Sequence, residues 1–313
     1  RAMIGPIFRY SSKRYGQARQ ARFARCGVSE KRAHSGMAVA IPFFCAAGRK
    51  VREEYMDISF SAIAACWASA ALCIVLPIAL LVIVRVKTHR GLLAALTGAL
   101  CFTVSALVLE QLLHSIVFSS FPTLIQSPGL YTAYACLAAG VFEETARYLG
   151  LSLLCRRDAS LVTGFAYGIG HGGIEAILLA GTASLSNAIV LSAARGGSLE
   201  AMFGSDIAAT VSAQLASGVS AGALLLPGLE RVAAITLHLA LSILVWMAVT
   251  GRLPKACLAL SICLHAAANV GAALYQCGIF SILLAEVWTF AFVLAISLCV
   301  WYLYKKSAPR QTA

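Results

Sequence analysis

The sequence predicts an all-α fold, a polytopic transmembrane helical bundle of about seven spans, or eight if one ambiguous stretch also crosses. Three observations predict it. The 313 residues are 60% hydrophobic and only 12% charged, with a mean hydropathy of +0.82, whereas soluble domains carry about 25% charged residues. The apolar residues fall in runs of roughly 20, the length of helix that crosses about 30 Å of hydrocarbon. No period-2 alternation of the kind a membrane barrel needs is visible.

Seven runs can be drawn in order: Ser59–Val84, Leu92–Phe118, Leu130–Leu154, Leu161–Leu179, Val232–Val249, Ala256–Tyr275 and Phe280–Leu303. The stretch Ser184–Leu226 is rich in small residues, contains Arg195, Glu200 and Asp206, and is the ambiguous one. It can hold a short extra span, a re-entrant piece or an amphipathic helix. Basic residues follow alternate spans: Arg85, Lys87 and Arg90; Arg156 and Arg157; Arg252 and Lys255; Lys305 and Lys306. The connections Ser119–Gly129 and Gln276–Ile279 carry no charge. Basic loops stay on the cytoplasmic side. The expected topology is therefore an outside N-terminus and a cytoplasmic C-terminal tail (residues 307–313) in a bacterial cytoplasmic membrane.

The charge is unevenly distributed. Residues 1–55 hold 12 Lys/Arg against 3 acids, a net +9, while the remainder holds 13 against 10, a net +3. A basic arm can bind nucleic acid or acidic lipid, and an Arg-rich, acid-poor stretch also suits a transit peptide. The reading preferred here is that residues 1–55 are a non-native upstream or disordered extension. The segment lacks apolar periodicity, and Met56 is followed at once by the first span. Glu53-Glu54-Tyr55-Met56 also back-translates to a purine-rich tract just before a start codon. The expected functional unit is thus residues 56–306, with membrane lipid rather than nucleic acid as its partner. The 11 Cys are scattered without a C-x-x-C pair, which excludes a disulfide framework or thiolate metal site.

Ionisable groups inside spans are costly and mark functional interiors. Phe142-Glu143-Glu144-Thr145-Ala146-Arg147 places two carboxylates and an Arg on one helix; Arg147 can hold one Glu ionised while the other serves as general base. Gly168-Ile169-Gly170-His171-Gly172-Gly173-Ile174-Glu175 puts His171 and Glu175 on one face, among glycines that let another backbone approach. Glu230 and Arg231 precede His238, and His265 and Asn269 lie one helical turn apart. The last pair can donate hydrogen bonds to a developing oxyanion. Glu110 and His114 form a weaker pair, expected to bond each other, and Glu286 has no partner that the sequence names. Hydrolysing a peptide bond in a membrane needs a confined water, a base and oxyanion donors, and these residue types supply all three.

The ordered set Glu-Glu-x-x-Arg, Gly-x-Gly-His-Gly-Gly-Ile-Glu, Glu-Arg before an intramembrane His, and His-x-x-x-Asn resembles the YhfC family of bacterial membrane peptidases. More distantly it is similar to the CPBP (CAAX protease and bacteriocin-processing) and PrsW families. The resemblance runs from Met56 to about Lys306 and implies an intramembrane endopeptidase acting on a membrane protein or lipopeptide. It implies Glu143 as the base that activates water, His171 as the group that helps hold that water, and His265 and Asn269 as oxyanion stabilisers. Glu144 and Arg147 become the supporting ion pair, with the two Glu roles open to exchange; Glu175, Glu230 and His238 support the site. CPBP proteins space the Arg one residue further on. If the enzyme is zinc-dependent, His171, Glu175, His238 and His265 are the candidate ligands. No H-E-x-x-H is present, and a glutamic-type mechanism needs no cofactor. Competing readings are a proton- or cation-coupled transporter, which inverted repeats would favour but none is visible, and a non-catalytic scaffold on a peptidase-like fold.

Overall fold

The computed structural model describes residues 58–216 and 218–307, so the expectations for residues 1–55 and for nearly all of the C-terminal tail lie outside the described residues. Among the described residues the chain is helical throughout, with no strand. In chain order the helices are α1 (Phe60–Thr88), α2 (Leu92–Ser120), α3 (Pro122–Gln126), α4 (Pro128–Leu154), α5 (Leu161–Arg195), α6 (Leu199–Phe203), α7 (Ser205–Leu215), α8 (Ala221–Val249), α9 (Cys257–Gln276) and α10 (Ile282–Ser307). Six of them, α1, α2, α5, α8, α9 and α10, are long and apolar enough to cross a membrane. The 27-residue α4 is long enough too, but it carries Glu143, Glu144 and Arg147. The expected count of about seven spans is therefore closely matched.

Two expected boundaries shift for a physical reason. The fifth run was drawn from Val232, after Glu230 and Arg231, yet α8 begins at Ala221 and carries that pair inside the helix. It can do so because Arg231 bridges Glu175 and Glu230, which compensates the charges where they sit. The fourth run was drawn to Leu179, but α5 continues through a π-helical turn at Ala176–Gly181 as far as Arg195. Among its described residues, the stretch Ser184–Leu226 is thus the rest of α5, the short helices α6 and α7 and the start of α8, with no extra span.

The chain divides into two compact units. Among the described residues, the smaller comprises 58–64, 186–216 and 218–221. Within it, α7 buries Ala208, Val211 and Leu215 along one face, and Arg195 donates to the Ile58 carbonyl at 2.6 Å. The larger unit, 65–185 and 222–307, holds every candidate site residue. Its core includes Leu151, Tyr167, Leu241, Leu244, Val245, Trp246 and Met247, all nearly inaccessible.

Glycine decides how closely the site helices pack. A Cβ at Gly170 would lie 1.9 Å from the Ala95 carbonyl oxygen, and one at Gly98 would lie 2.3 Å from that of Tyr167. Helices α2 and α5 therefore meet backbone to backbone. On another face of α5, Gly164, Gly168 and Gly172 accept Trp246, Leu239 and His238 of α8, a small-residue stripe of the kind that brings membrane helices together. Gly173 faces Pro77 of α1. After α8 and α9 the chain turns at Gly251 and Gly278, both with positive φ, where Arg252 and Ile279 bond back to Met247 and Leu274 at 2.9 Å. These are glycine C-caps.

Candidate active site

The polar motifs of α4, α5, α8 and α9 converge in the interior of the larger unit. Glu144 and Arg147 are fully buried and lie one turn apart on α4. Arg147 donates twice to the same carboxylate, Nε to Oε2 at 2.9 Å and Nη2 to Oε1 at 3.0 Å. Ser261 Oγ donates to Oε2 at 2.5 Å, and His265 Nδ1 lies 2.8 Å from Oε1. Glu144 therefore receives four contacts and has no oxygen facing open space. Arg147 also reaches α8, donating to Ser242 Oγ at 2.5 Å, to the His238 carbonyl at 3.2 Å and to His238 Nδ1 at 2.9 Å.

Glu143 differs from its neighbour. It is 7% exposed, and its Oε2 takes one hydrogen bond, from His171 Nε2 at 2.9 Å. Its Oε1 stands 3.8 Å from His265 Nε2, too far for a direct hydrogen bond but a span that one water bridges. Glu143 and His265 line a cavity of about 70 Å³ together with Asn269 and His238, which leaves room for water beside polar partners. The Asn269 carboxamide makes no hydrogen bond among the described residues, so its donor remains available. Glu230, Arg231, Glu175 and Thr289 complete the polar lining.

Hydrogen-bond chemistry fixes where the protons are. Arg147 only donates, so His238 Nδ1 must offer a lone pair and Nε2 carries the proton. That Nε2 lies 2.5 Å from Glu175 Oε2, a close charge contact off the line of an N–H···O bond. Glu144, facing the Arg147 guanidinium, is the acceptor for His265 Nδ1–H, and the other ring nitrogen, Nε2, faces Glu143. His171 spends its Nε2 proton on Glu143, and among the described residues its buried Nδ1 has no partner. The three rings are neighbours, with centroids 4.7 Å apart for His171 and His238 and 5.5 Å for His238 and His265.

Donor atoms of Glu143, His171 and His238 all lie within 4.8 Å of one another, close enough to be considered for a metal. This trio differs from the expected set, with Glu143 in it and Glu175 and His265 outside it; Glu175 lies against Arg231 and His238. The protons also stand in the way. His238 would have to present lone pairs on both nitrogens, one to Arg147 and one to the ion. His171 would have to move its proton to a buried Nδ1 with no acceptor, whereas zinc-bound histidines donate that N–H to a partner. The lone pairs left by these contacts fall short of the three protein ligands of catalytic zinc. The residues as arranged do not fit a zinc ion.

The remaining expectations fall as follows. His171 and Glu175 share α5 but do not bind each other: His171 pairs with Glu143, and Glu175 with His238 and Arg231. Glu110 and His114 do pair, at 3.3 Å, with Tyr134 Oη 2.8 Å from His114 Nδ1. Glu286 Oε2 is buried without a hydrogen-bond partner among the described residues. Ser242 and Ser261 were missed. Their one signal is spacing, since each lies four residues from a site histidine, His238 and His265.

Residues 72–294 match the family described as YhfC intramembrane metalloprotease. The membrane protein YhfC of Bacillus subtilis (strain 168) is 38% identical over 218 residues, covering 67% of this chain and 84% of that protein. No solved structure matches the chain. The matched residues run from α1 into α10 and contain every residue of the buried Glu/His/Arg cluster, and on that match the chain belongs to the YhfC intramembrane metalloprotease family.

Proposed function

We propose that the chain is an intramembrane peptidase that hydrolyses a peptide bond of a membrane protein or lipopeptide, using a water activated by Glu143. The observation that carries this reading is the asymmetry of the two adjacent carboxylates. Glu144 is saturated by Arg147, Ser261 and His265, whereas Glu143 keeps one oxygen towards a water-sized cavity beside His265 and Asn269. A general base needs a free lone pair within reach of its proton, and Glu143 is the carboxylate that has one. His171 orients it, Asn269 supplies an N–H for the oxyanion, and Arg147 holds Glu144 and His238 in place. The family's description names a metal. The proton positions above favour the glutamic-type route, in which side chains alone carry the chemistry.

The basic connections are assigned to the cytoplasmic face of a bacterial cytoplasmic membrane as part of the same proposal, which a reporter fused after Ser307 tests. Function is tested by incubating the purified full chain and its Glu143→Gln variant in detergent with a library of transmembrane peptides and lipopeptides, cleavage being read by mass spectrometry. Cleavage by the parent protein and none by the variant is expected. Equal cleavage by both would remove Glu143 from the chemistry. No cleavage by either would favour the transporter reading, for which proton flux in liposomes is the measurement.

A further inference from the structure

We infer that the cavity is entered from the membrane face opposite the basic connections, between the first halves of α8 and α10, and that its substrate is a bilayer-anchored chain presenting the scissile bond from that face. The substrate assignment rests on the peptidase reading above, whereas the direction of entry rests on the order of residues along the helices. The cavity lining divides by accessibility. Glu143, Leu237, His238, His265, Ala268 and Val293 are buried, and they form its floor. Glu230, Ala234, Ala272 and Thr289 are partly exposed, and they form its rim. Every helix that supplies a rim residue supplies it towards the same end of the bundle. On α8, Glu230 and Ala234 precede His238; on α9, Ala272 follows His265; on α10, Thr289 precedes Val293. Glu230, whose side chain is 35% exposed, stands about 12 Å of helix from His238. The end of α9 and the start of α10 are joined by the uncharged connection Gln276–Ile279. Arg252, Lys255, Lys305 and Lys306 lie at the opposite ends of these helices.

Towards the basic connections the way is shut. Beyond Arg147 on α4 comes Leu151, before His171 on α5 comes Tyr167, and beyond His238 on α8 come Leu244 and Trp246, each at most 1% exposed. These side chains belong to one packed core, and a substrate arriving from the basic side would have to displace it. The outside of the rim is apolar. Leu229 of α8 and Val287 and Phe290 of α10 are exposed beside Glu230 and Thr289, and exposed apolar faces of this kind on spanning helices meet lipid. Trp288 packs on Gly271 and donates to the Ala267 carbonyl at 2.9 Å, which fixes α10 to α9 at the level of the rim. The rim thus borders lipid on its outside and is lined by Glu230 and Arg231 on its inside. Such a mouth fits a chain held in the bilayer, and its polar lining admits the water that hydrolysis consumes.

Cysteine accessibility tests the direction of entry without calling on cleavage. The full chain is expressed with Ala272→Cys at the rim, with Gly129→Cys at the uncharged face, or with Arg252→Cys at the basic face. Right-side-out and inside-out membrane vesicles are treated with a small quaternary-ammonium methanethiosulfonate, which does not cross membranes, and each labelled cysteine is identified by mass spectrometry. Ala272→Cys is expected to label in the vesicles that label Gly129→Cys and to lose its label in those that label Arg252→Cys. Labelling with Arg252→Cys, in both preparations or in neither, overturns the direction of entry while leaving the peptidase reading intact. Ala234→Cys, the rim position on α8, carries the same test should Ala272→Cys not fold. The route is then tested on a transmembrane peptide that the parent protein cleaves. Loading Ala272→Cys with a bulky maleimide is expected to abolish cleavage relative to the unlabelled variant, whereas loading Arg252→Cys leaves it unchanged. Cleavage that survives the adduct at Ala272→Cys overturns the route. A parent protein that cleaves no peptide overturns the substrate assignment together with the peptidase reading, and the labelling pattern still decides the direction of entry.

Discussion

Replacing Arg147 by Met removes the hub of the buried network, and the structure gives the consequence a size. Arg147 is fully buried and makes five hydrogen bonds: two to Glu144, two to His238 and one to Ser242. Its loss leaves the Glu144 carboxylate, also fully buried, with only Ser261 and His265 as partners. Five charge-assisted bonds at about 1.5–3 kcal/mol each overstate the effect, because burying the guanidinium already costs much of that. Breaking one side of a buried ion pair typically costs about 3–5 kcal/mol. For a protein of this size that corresponds to roughly 6–20 °C in Tm. Thermal unfolding in detergent, followed through the fluorescence of the core residue Trp246, measures it. The double variant Arg147→Met/Glu144→Met supplies the second arm. With both charges gone it is expected to be more stable than the sum of the two single changes predicts, by about 1–3 kcal/mol. A Tm for Arg147→Met within about 2 °C of the parent, or additivity within about 0.5 kcal/mol, would refute the argument that the pair is a coupled buried unit.

Other outcomes follow from single contacts. Glu143→Gln is expected to abolish cleavage while leaving Tm within about 3 °C of the parent, since Gln keeps the acceptor that His171 uses; a large Tm loss would assign Glu143 a structural role instead. The purified protein is expected to carry substoichiometric zinc by elemental analysis and to keep its activity in a chelator, and one tightly held zinc per chain would contradict the proton positions assigned to His171 and His238. Gly170→Ala is expected to prevent stable folding, because its Cβ would lie 1.9 Å from the Ala95 carbonyl oxygen. Gly129→Ala, with open space around it, should be neutral or stabilising by about 0.5–1 kcal/mol; equal effects at both positions would remove the close α2–α5 contact from the account. In the α4–α5 connection, partial burial opposes ionisation of Asp158. Hydrogen bonds from Ser160 and Thr163 and the charge of Arg90 outweigh it and hold the carboxyl below its usual range. Its stabilisation is present above that range and lost as pH falls through the depressed value. Asp158→Asn should therefore lower Tm slightly near about pH 7, by less than about 1 kcal/mol for so exposed a group, and by progressively less as pH falls below the usual carboxyl range; a difference that does not shrink in acid would count against it.

The sequence by itself determined the helical spans and the identity of the polar residues inside them. Both are local properties. Apolar runs of roughly 20 residues report hydrocarbon thickness, and spacings such as Glu144 to Arg147 or His265 to Asn269 report one helical turn. Their legibility failed where charge ended a run: α8 was cut short at Glu230 and Arg231, whereas the run Leu130–Leu154 was drawn through the Glu pair of α4. Hydropathy counts a charge without knowing what compensates it. Only the tertiary structure decided which carboxylate is saturated and which is free. That division depends on partners from other helices, with Ser261 and His265 on α9 closing over Glu144 and His171 on α5 meeting Glu143. It also decided that Glu175 serves His238 and Arg231 rather than His171. The glycines were visible in the sequence as permission for close approach. Which backbone each one admits follows from the packing of α5 between α2 and α8.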